Sequence, residues 1–387
     1  MCQYISVTKK CVFRSFTTSP SFGYNIPVSR ILILTSIKTG SGHRASANAI
    51  EKKLQDKGHE TLQLDVFPLM GKMGLLMENS YIPLTTRAPF VYYLCQRFSE
   101  HFPWFIHVQM YFRVRRNLLK VIDEFKPDLI LSVHCMFTRA ISHLIKREKL
   151  NIPFHIGVID LMDPPKVWED RSADITYVPT ETIRKDYLKR GFDEKKVLVS
   201  GFPVRDDIVD RTIGKIVKGT VNILMVNAST DLKKNLRFLE EVSRLENVSI
   251  EFVCGLDERM HRVLEQRKEE GRLKQNVRVH GFVTNVNEFL ERSHILLTKA
   301  GPNMIMEAVH SDTAIIVTGH IKGQEDHNYR YVTENGFGLK CEDPERIHDT
   351  VKDFIESGKL EECLKKIADS KVGNGAEYIA EYISRED

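Results

Sequence analysis

Residues 31–50 read ILILTSIKTGSGHRASANAI, and this stretch decides the fold class. Its first six residues form an aliphatic run that is typical of a strand buried on both faces. Gly40 and Gly42 then indicate a tight turn, and the small residues that follow predict a helix. A strand that passes through a glycine turn into a helix begins a βαβ unit of a parallel sheet. The turn also carries His43, which a purely structural turn does not need.

The same alternation of apolar runs and helical patterns continues to the end of the chain. Such runs with helical crossovers predict parallel sheets. The predicted strands are residues 31–36, 61–66, 128–134, 154–160, 174–179, 197–201, 221–227, 249–254, 277–282, 294–299, 314–319 and 338–341. We therefore expect two doubly wound, Rossmann-like α/β domains facing a cleft. They comprise residues 30–205 and 206–387, and the last helix is a candidate for return to the first domain.

The composition is that of a globular protein with a core, at 42% hydrophobic and 28% charged residues in a chain of 387. The net charge of +4 is small, so an anionic partner has to meet a local patch, and nucleic acid is not expected. Seven cysteines without CxxC spacing predict reduced thiols and no zinc site. Residues 1–29 lack acidic residues and are expected to be a disordered leader. No 18-residue apolar run is present, so no membrane span is predicted.

The glycine turn leaves two interpretations open beside a plain structural one. Gly40-x-Gly42 matches the start of a dinucleotide-binding fingerprint, and Asp65 ends the next predicted strand, where a ribose-binding acid would lie. This favours an NAD(P) oxidoreductase. His43, in contrast, could orient or deprotonate a substrate hydroxyl at the carboxyl edge of the sheet.

The second half repeats the strand–turn–helix pattern with different polar residues. Leu296–Ala308 reads LLTKAGPNMIMEA, in which Pro302 suits the first helical position and the N–H groups of that turn could bind a phosphate. Glu307 could then face a ribose. In GHIKGQEDHN, Gln324 and Glu325 are predicted to open another helix and could read sugar hydroxyls. An ordinary helix start explains each motif equally well.

Taken together, the motifs resemble glycosyltransferase family 28 of the GT-B fold, in particular the monogalactosyl- and processive glucosyl-diacylglycerol synthases. They appear in family order between residue 31 and about residue 345. The motifs that carry the resemblance are TGSGHRASANAI, KPDLILSVH, VIDL followed by Trp168, SGFPV, LTKAGP and GQE.

The resemblance implies inverting, metal-independent transfer of a hexose from a UDP-sugar to diacylglycerol or a related lipid, without a further cofactor. It implies His43 as the catalytic group. The residues implied to bind the donor nucleotide and phosphates are Phe282, Val283, Thr298, Lys299, Gly301, Asn303 and Glu307, with Gln324 and Glu325 at the sugar. The residues implied on the acceptor side are Gly40, Gly42 and Trp168, and Trp168 could instead anchor its loop. Asp160 ends a predicted strand on the same side, and His134 could line the cleft or cap its own strand.

The chain also departs from the family pattern at three places. Asn227–Thr230 replaces a glycine-rich loop, and Met304 stands where a hydroxyl commonly meets phosphate. Lys38 occupies a position at which plant members carry aspartate. A weakened or non-catalytic nucleotide-sugar or lipid binder is therefore the alternative to an active enzyme.

Residues 90–112 are rich in aromatic side chains, and residues 79–122 hold six Arg or Lys and a single acid, Glu100. This combination predicts an interfacial surface that meets anionic lipid, and hence a cytoplasmic protein that associates peripherally with a membrane. The expected membrane contacts are Trp104, Phe105, Arg113, Arg115 and Arg116. The alternative is that these aromatic residues fill the core between helices.

Overall fold

A computed structural model describes residues 3–6, 11–14, 28–36, 41–208, 214–226, 228–229, 231–370 and 372–386. The chain divides into two compact units, each with its own core. The first unit contains Met1–Arg205 together with Gly373–Asp387, and the second contains Asp206–Val372. Each unit is an α/β structure built on one parallel sheet of six strands.

The first unit follows the predicted alternation, with three consecutive helices inserted after its second sheet strand. Its strands are β1 (Gln3–Ser6), β2 (Cys11–Arg14), β3 (Arg30–Thr35), β4 (Glu60–Asp65), β5 (Leu129–Ser132), β6 (Phe154–Gly157), β7 (Ile175–Val178) and β8 (Val197–Val199). Its helices are α1 (Ser41–Asp56), α2 (Lys72–Arg87), α3 (Pro89–His101), α4 (Pro103–Phe125), α5 (Thr138–Arg147), α6 (Glu181–Lys189) and, from the chain end, α14 (Gly375–Glu386). Strands β5, β6 and β7 are buried throughout, as their aliphatic sequences require.

The second unit is a regular alternation of strands and helices. Its strands are β9 (Val221–Val226), β10 (Val248–Val253), β11 (Val277–His280), β12 (Ile295–Lys299), β13 (Ala314–Gly319) and β14 (Gly338–Lys340). Its helices are α7 (Leu232–Ser243), α8 (Glu258–Glu269), α9 (Val286–Arg292), α10 (Pro302–His310), α11 (Asn328–Glu334), α12 (Pro344–Glu356) and α13 (Lys359–Ser370). The apolar sides of α7, α8 and α12 pack on one face of the sheet.

The strand order of each sheet reverses at one point, which determines where ligands can approach. In the first unit the order is β4-β3-β5-β6-β7-β8, and in the second it is β11-β10-β9-β12-β13-β14. In open parallel sheets, ligand sites lie beyond the carboxyl ends of the strands at this reversal. The loops expected to contact a ligand are therefore those after β3 and β5 in the first unit, and those after β9 and β12 in the second.

The predicted α/β class with two doubly wound units is confirmed, since all twelve predicted strands are present and both six-stranded sheets are parallel. Most strand ends fall earlier than predicted, because the last residues of these runs do not pair with a neighbouring strand. For residues 1–29, which were expected to be disordered, the structure describes β1 and β2, paired antiparallel, and residues 28–29. The remaining residues of that segment lie outside the described part of the chain.

The last helix joins the first unit at a crossing of two glycine-containing segments. Helix α14 packs its apolar side beside α1 in the first core, where Glu377 pairs with Lys53 at 2.7 Å. Gly201, of the SGFPV motif, has φ of +81°, and a Cβ there would lie 2.6 Å from the carbonyl oxygen of Gly373. Glycine is required at this crossing because both the backbone angle and the close approach exclude a side chain.

Candidate active site

Helix α1 carries His43 to the end of β5. Its Nδ1 lies 2.8 Å from the carbonyl oxygen of Val133. A carbonyl oxygen only accepts hydrogen bonds, so we assign the proton to Nδ1, and in the neutral ring Nε2 then holds the lone pair. Burial lowers the pKa of His43, against a smaller opposing effect of the Val133 carbonyl. The nearby N-terminus of α1 also disfavours a positive charge on the His43 ring, so the neutral imidazole is the favoured form.

A second histidine packs against His43. The ring centroids of His43 and His134 are 4.4 Å apart, with a tilt of 32° between the ring planes. His134 is buried and also contacts the rings of Phe67 and Phe137 at 5.4 and 5.5 Å. Burial holds the pKa of His134 well below its usual value, and the neighbouring His43 lowers it further. The two imidazoles therefore share an apolar environment that favours two neutral rings.

Trp168 completes this group from a short 3₁₀-helix, Lys166–Trp168. Its indole N–H donates to Oδ2 of Asp160 at 2.8 Å, and its ring lies 6.2 Å from that of His43. The side chain is only 1% exposed. The structure therefore brings the predicted catalytic residue, His43, together with His134, Asp160 and Trp168, which were predicted on the acceptor side.

Two local predictions for these residues are wrong. Gly42 and His43 were expected on a turn, but α1 already begins at Ser41, because the small residues that follow are compatible with an early helix start. His134 was expected to end a strand, but β5 ends at Ser132 and the His134 ring caps the next 3₁₀-helix by accepting the N–H of Met136. Gly40 and Lys38 lie outside the described residues.

Asp65, the acid of the oxidoreductase interpretation, ends β4 as predicted. Its Oδ1 accepts the backbone N–H of Phe67 at 3.2 Å. This contact stabilises the chain reversal that leads towards α2, so the carboxylate has a local structural role.

In the second unit, β12 leads through Ala300 and Gly301 into α10, as predicted. Gly301 is the N-cap and Pro302 the first helical residue, where its missing N–H costs no hydrogen bond. Nζ of Lys299 lies 2.5 Å from Oε1 of the buried Glu325. A Cβ at Gly301 would lie 3.2 Å from that Nζ, so glycine leaves room for the ion pair beside the helix start.

The segment that holds Glu325 differs from the prediction, because Gln324 and Glu325 do not open a helix. They lie in a turn, and α11 begins only at Asn328. Oε2 of Glu325 accepts the N–H of Ile321 at 2.9 Å, while Gly323 adopts φ of +84°. These two features close the turn and keep it out of the helix.

Two residues of this region were not predicted. Asn328 is buried and donates to the carbonyl oxygen of Ala300 at 3.1 Å, which connects the start of α11 to the loop before α10. His320 lies between Glu342, at 2.7 Å, and Asp326, at 3.5 Å. Both residues lie in the stretch GHIKGQEDHN, whose polar composition was the available signal.

The other predicted donor residues are more dispersed. Thr298 is buried within β12, and Glu307 is buried in α10, whose first turn holds Asn303 and Met304. Gln324 is half-buried in the turn. Phe282 and Val283 follow β11, which is three strands from β12 in the sheet order, and the Phe282 side chain is 64% exposed.

The loop after β9, where the family has glycines, is described only at Ala228 and Ser229. The carbonyl oxygen of Ala228 accepts the hydroxyl of Thr318 at 2.7 Å, and the N–H of Ser229 donates to Asn235. Asn227 and Thr230 lie outside the described residues. The described part of this loop thus makes hydrogen bonds within the second unit.

Helices α3 and α4 expose a continuous series of large apolar side chains, here named the apolar face. Its residues are Phe90, Val91, Leu94, Phe98, Phe102, Trp104, Phe105, Val108 and Phe112. On α4, Trp104, Val108 and Phe112 follow a spacing of four and therefore form one stripe. The alternative that the aromatic residues fill the core is wrong for the apolar face, although it holds for Tyr92 and Tyr111, which are buried.

The three arginines expected beside this surface have different surroundings. Arg116 is exposed and follows Phe112 by one turn on the same side of α4. Arg115 forms an ion pair with Glu148 at 2.7 Å, and Arg113 donates to the carbonyl oxygen of Gln109 at 3.0 Å. Of the three, Arg116 extends the apolar stripe most directly.

Two family models match successive parts of the chain. The model described as monogalactosyldiacylglycerol (MGDG) synthase matches residues 43–204, and the model described as glycosyl transferases group 1 matches residues 209–371. The first unit is thus similar to the MGDG synthases, and the second to the group 1 glycosyl transferases.

Curated relatives agree with this assignment. The chloroplastic MGDG synthase of Spinacia oleracea is 27% identical over 352 residues, which are 84% of this chain and 66% of the relative. MGDG synthase 1 of Arabidopsis thaliana is 26% identical over 351 residues, 84% of this chain and 64% of the relative. The chain thus spans slightly less than two thirds of the length of these relatives.

Solved structures with the same fold include MurG of Acinetobacter baumannii. It superposes with a TM-score of 0.63 at 16% identity, covering 93% of this chain and 100% of MurG. The spinosyn rhamnosyltransferase SpnG, solved in complex with thymidine diphosphate, gives 0.61 at 14% identity, covering 92% of this chain and 100% of SpnG. These similarities establish the GT-B fold of the chain.

Neither a membrane-spanning helix nor a metal site is found among the described residues. Across the described ranges, no helix has both the length and the apolar character needed to cross a bilayer. In the same part of the chain, no group of three or more His, Cys, Asp or Glu side chains could hold a metal ion.

Proposed function

We propose that this glycosyltransferase moves a hexose from a UDP-sugar to diacylglycerol or a related membrane lipid, with inversion and without a metal ion. The observation that carries the proposal is the contact between His43 Nδ1 and the Val133 carbonyl, which leaves a basic Nε2 on a neutral ring. The relationship to MGDG synthases, whose name describes a galactosyl diacylglycerol product, supports the lipid acceptor.

On the acceptor side, His43 would act as the general base. Nε2 would take the proton of the lipid hydroxyl while the hydroxyl oxygen bonds to the anomeric carbon and the bond from that carbon to the UDP oxygen breaks. Attack from the face opposite to UDP inverts the configuration. A base with a pKa below the usual histidine value remains unprotonated at neutral pH, which this role requires.

On the donor side, the start of α10 would receive the diphosphate. Its first N–H groups and the helix dipole attract anions, and Gly301 allows the backbone to approach closely. Lys299 would stabilise the departing UDP, while its ion pair with Glu325 holds the ammonium group in place. These groups provide positive potential without a bound cation.

Sugar and nucleoside recognition would come from the remaining predicted residues. Gln324 and Glu325 lie on the turn before α11, within reach of the same helix start, and are proposed to bind the sugar hydroxyls. Glu307 is proposed to bind the ribose, and Phe282 with Val283 the uracil. The exposed Phe282 ring offers a stacking surface for a base.

The lipid substrate accounts for the apolar face. Soluble proteins rarely expose a contiguous group of aromatic side chains as large as this one, and such groups mark interaction surfaces. Aromatic rings at headgroup depth, with Arg116 beside them, fit an anionic membrane surface, where each cation contributes about 1 kcal/mol. We propose that α3 and α4 bring the protein to its acceptor in this way.

The alternative of a weakened or non-catalytic homologue rests on Met304. Its side chain lies in the first turn of α10 and cannot donate a hydrogen bond to phosphate. This homologue would bind a UDP-sugar or lipid without transferring the sugar.

The test is incubation with vesicles that contain diacylglycerol and with a panel of UDP-sugars, followed by analysis of the lipid product and its anomeric configuration. We expect a glycolipid whose configuration is opposite to that of the donor. A product with retained configuration would contradict the mechanism. Binding of UDP without any lipid product across the panel would favour the non-catalytic alternative.

A further inference from the structure

Glu100 is the single acid among residues 79–122, and it contacts the protein instead of extending the apolar face. It lies in the last turn of α3, and its Oε1 accepts the backbone N–H of Lys166 at 3.0 Å. Lys166 is the first residue of the 3₁₀-helix that ends at Trp168. The carboxylate therefore caps the short helix that carries the indole beside His43.

The carbonyl groups of the same segment are held from another helix. The hydroxyl of Thr138 donates to the carbonyl oxygen of Val167 at 2.9 Å, and Nε of Arg139 donates to that of Glu169 at 2.6 Å. Both donors lie on α5. The Trp168 segment is thus fixed by α5 through its carbonyl oxygens and by α3 through the N–H at its start.

The hydrogen bond of Glu100 with Lys166 connects the Trp168 segment to a helix, α3, that also carries part of the apolar face. Phe98 and Phe102, two residues before and after Glu100, are exposed, and their rings lie 5.1 Å apart. Phe105 contacts Phe98 edge-on at 5.9 Å. One end of α3 therefore joins the surface proposed to meet lipid with the segment that holds Trp168.

We propose that Glu100 is a positioning residue that fixes Trp168 against His43 from the helix that docks on the membrane. Its hydrogen bond to Lys166 holds the 3₁₀-helix, and this helix holds the indole between Asp160 and the His43 ring. The proposal rests on the proposed function, because it assigns Trp168 a place at the acceptor and α3 a place at the lipid surface.

The two tryptophans of the chain make this proposal measurable. Trp104 lies on the apolar face and Trp168 at the site, so a Trp104→Phe background leaves Trp168 as the sole indole. Its emission maximum and its quenching by acrylamide report how firmly the Trp168 segment is held. Transfer rates are measured separately in chains that retain Trp104, with vesicles of diacylglycerol and phosphatidylglycerol.

Three variants separate positioning from general stability. Glu100→Ala removes the hydrogen-bond acceptor, and Glu100→Gln keeps an oxygen that can accept the Lys166 N–H. Asp193→Ala is the matched control, because Asp193 caps the exposed 3₁₀-helix Glu194–Lys196 by accepting the Lys195 N–H, also at 3.0 Å. Vesicle cosedimentation and the melting temperature are recorded for each variant.

We expect Glu100→Ala to increase acrylamide quenching of Trp168 and to lower kcat by about 10-fold, because small displacements near reacting groups cost rate. KM for the donor and vesicle binding should stay within about twofold of wild type. Glu100→Gln should restore both the quenching and kcat, and Asp193→Ala should leave them unchanged.

Two results would overturn the proposal. One is quenching and kcat in Glu100→Ala that equal those of Asp193→Ala. The other is a Glu100→Gln variant as impaired as Glu100→Ala, which would make charge, and not the hydrogen bond, the cause. If the wild-type chain transfers no sugar, the proposed function fails, but the fluorescence of Trp168 still decides whether Glu100 positions its segment.

Discussion

The two groups of candidate residues have opposite electrostatic environments. The group around His43 and His134 buries two imidazoles among aromatic rings, where burial lowers the pKa of each. The group around Lys299 keeps charge, because the ammonium is paired with Glu325 at the start of a helix. A base that must accept a proton benefits from a neutral, dry environment, whereas a leaving diphosphate needs fixed positive potential.

The same contrast extends to other histidines of the two units. In the first unit, burial lowers the pKa of His107 to about 3 and that of His155 to about 4. In the second unit, burial lowers the pKa of His294, while His280 contacts Glu251 and His320 contacts Glu342. The largest effects of burial on histidine pKa values thus lie in the first unit.

The largest expected effect is a loss of stability of the first unit in acid. His107 and His155 stay neutral in the folded chain at pH 5, but in the unfolded chain they take up protons as the pH falls below about 6.5. Lowering the pH from 7 to 5 should therefore lower the free energy of unfolding by roughly 2 kcal/mol for each of them.

Urea unfolding monitored by tryptophan fluorescence measures this effect, because Trp104 and Trp168 both lie in the first unit. When the pH is lowered from 7 to 5, the urea midpoint of the fluorescence transition should fall. The midpoint of the circular-dichroism change that reports the second unit should fall less. His107→Leu should remove roughly 2 kcal/mol of the acid effect. Equal shifts of both urea midpoints in wild type would contradict the expected difference between the units.

The next largest expected effect is on stability and UDP binding, through the ion pair of Lys299 with Glu325. Lys299→Met keeps the side-chain length but leaves Glu325 buried without its cation, which should cost about 2 kcal/mol of stability, since Lys299 is partly exposed. UDP should bind about 10-fold more weakly, as measured by calorimetry.

The double variant Lys299→Met/Glu325→Gln sharpens this test. The introduced amide would retain an oxygen that can accept the Ile321 N–H, so stability should recover while UDP binding stays weak. Lys366→Met, which breaks the exposed pair with Glu362, is the control and should change neither quantity. Recovery of UDP binding in the double variant would show that the charge of Lys299 does not act on the diphosphate.

The smallest effect concerns the apolar surroundings of His43. His134→Phe should keep the aromatic packing and the pH profile of kcat/KM, with its acid limb below about pH 6.5. His134→Ala should admit water and raise the pKa of His43 towards about 6.5, so activity at pH 6 should fall about fourfold relative to pH 7.5. An unchanged limb in the alanine variant would contradict the assigned role of burial.

The sequence predicted the parts of the molecule that depend on local patterns. Aliphatic runs located every strand of the two six-stranded sheets, and Pro302 after Gly301 correctly marked the start of α10. In the same way, the glycine turn after β3 indicated a helix and a histidine at the sheet edge. These features depend on neighbouring residues and on the period of the side chains.

The contacts that define the chemistry join residues distant in sequence, so no local pattern contained them. His43 and Val133 are 90 residues apart, Glu100 and Lys166 are 66 apart, and Lys299 and Glu325 are 26 apart. Composition likewise identified the aromatic segment but not its exposed side, because exposure depends on which side of α4 packs inward. The turn at Glu325 was predicted as a helix start because the pattern of residue types does not reveal the hydrogen bond from the Ile321 N–H to the carboxylate or the positive φ of Gly323.

The most direct test of the account is a comparison of His43→Ala with wild type in single-turnover transfer and in UDP titration. If Nε2 of His43 is the base, the rate of the chemical step should fall by about 10²- to 10⁴-fold, while the dissociation constant for UDP stays within about twofold. A variant that loses UDP affinity and transfer rate equally, or that keeps the wild-type rate, would contradict the central claim.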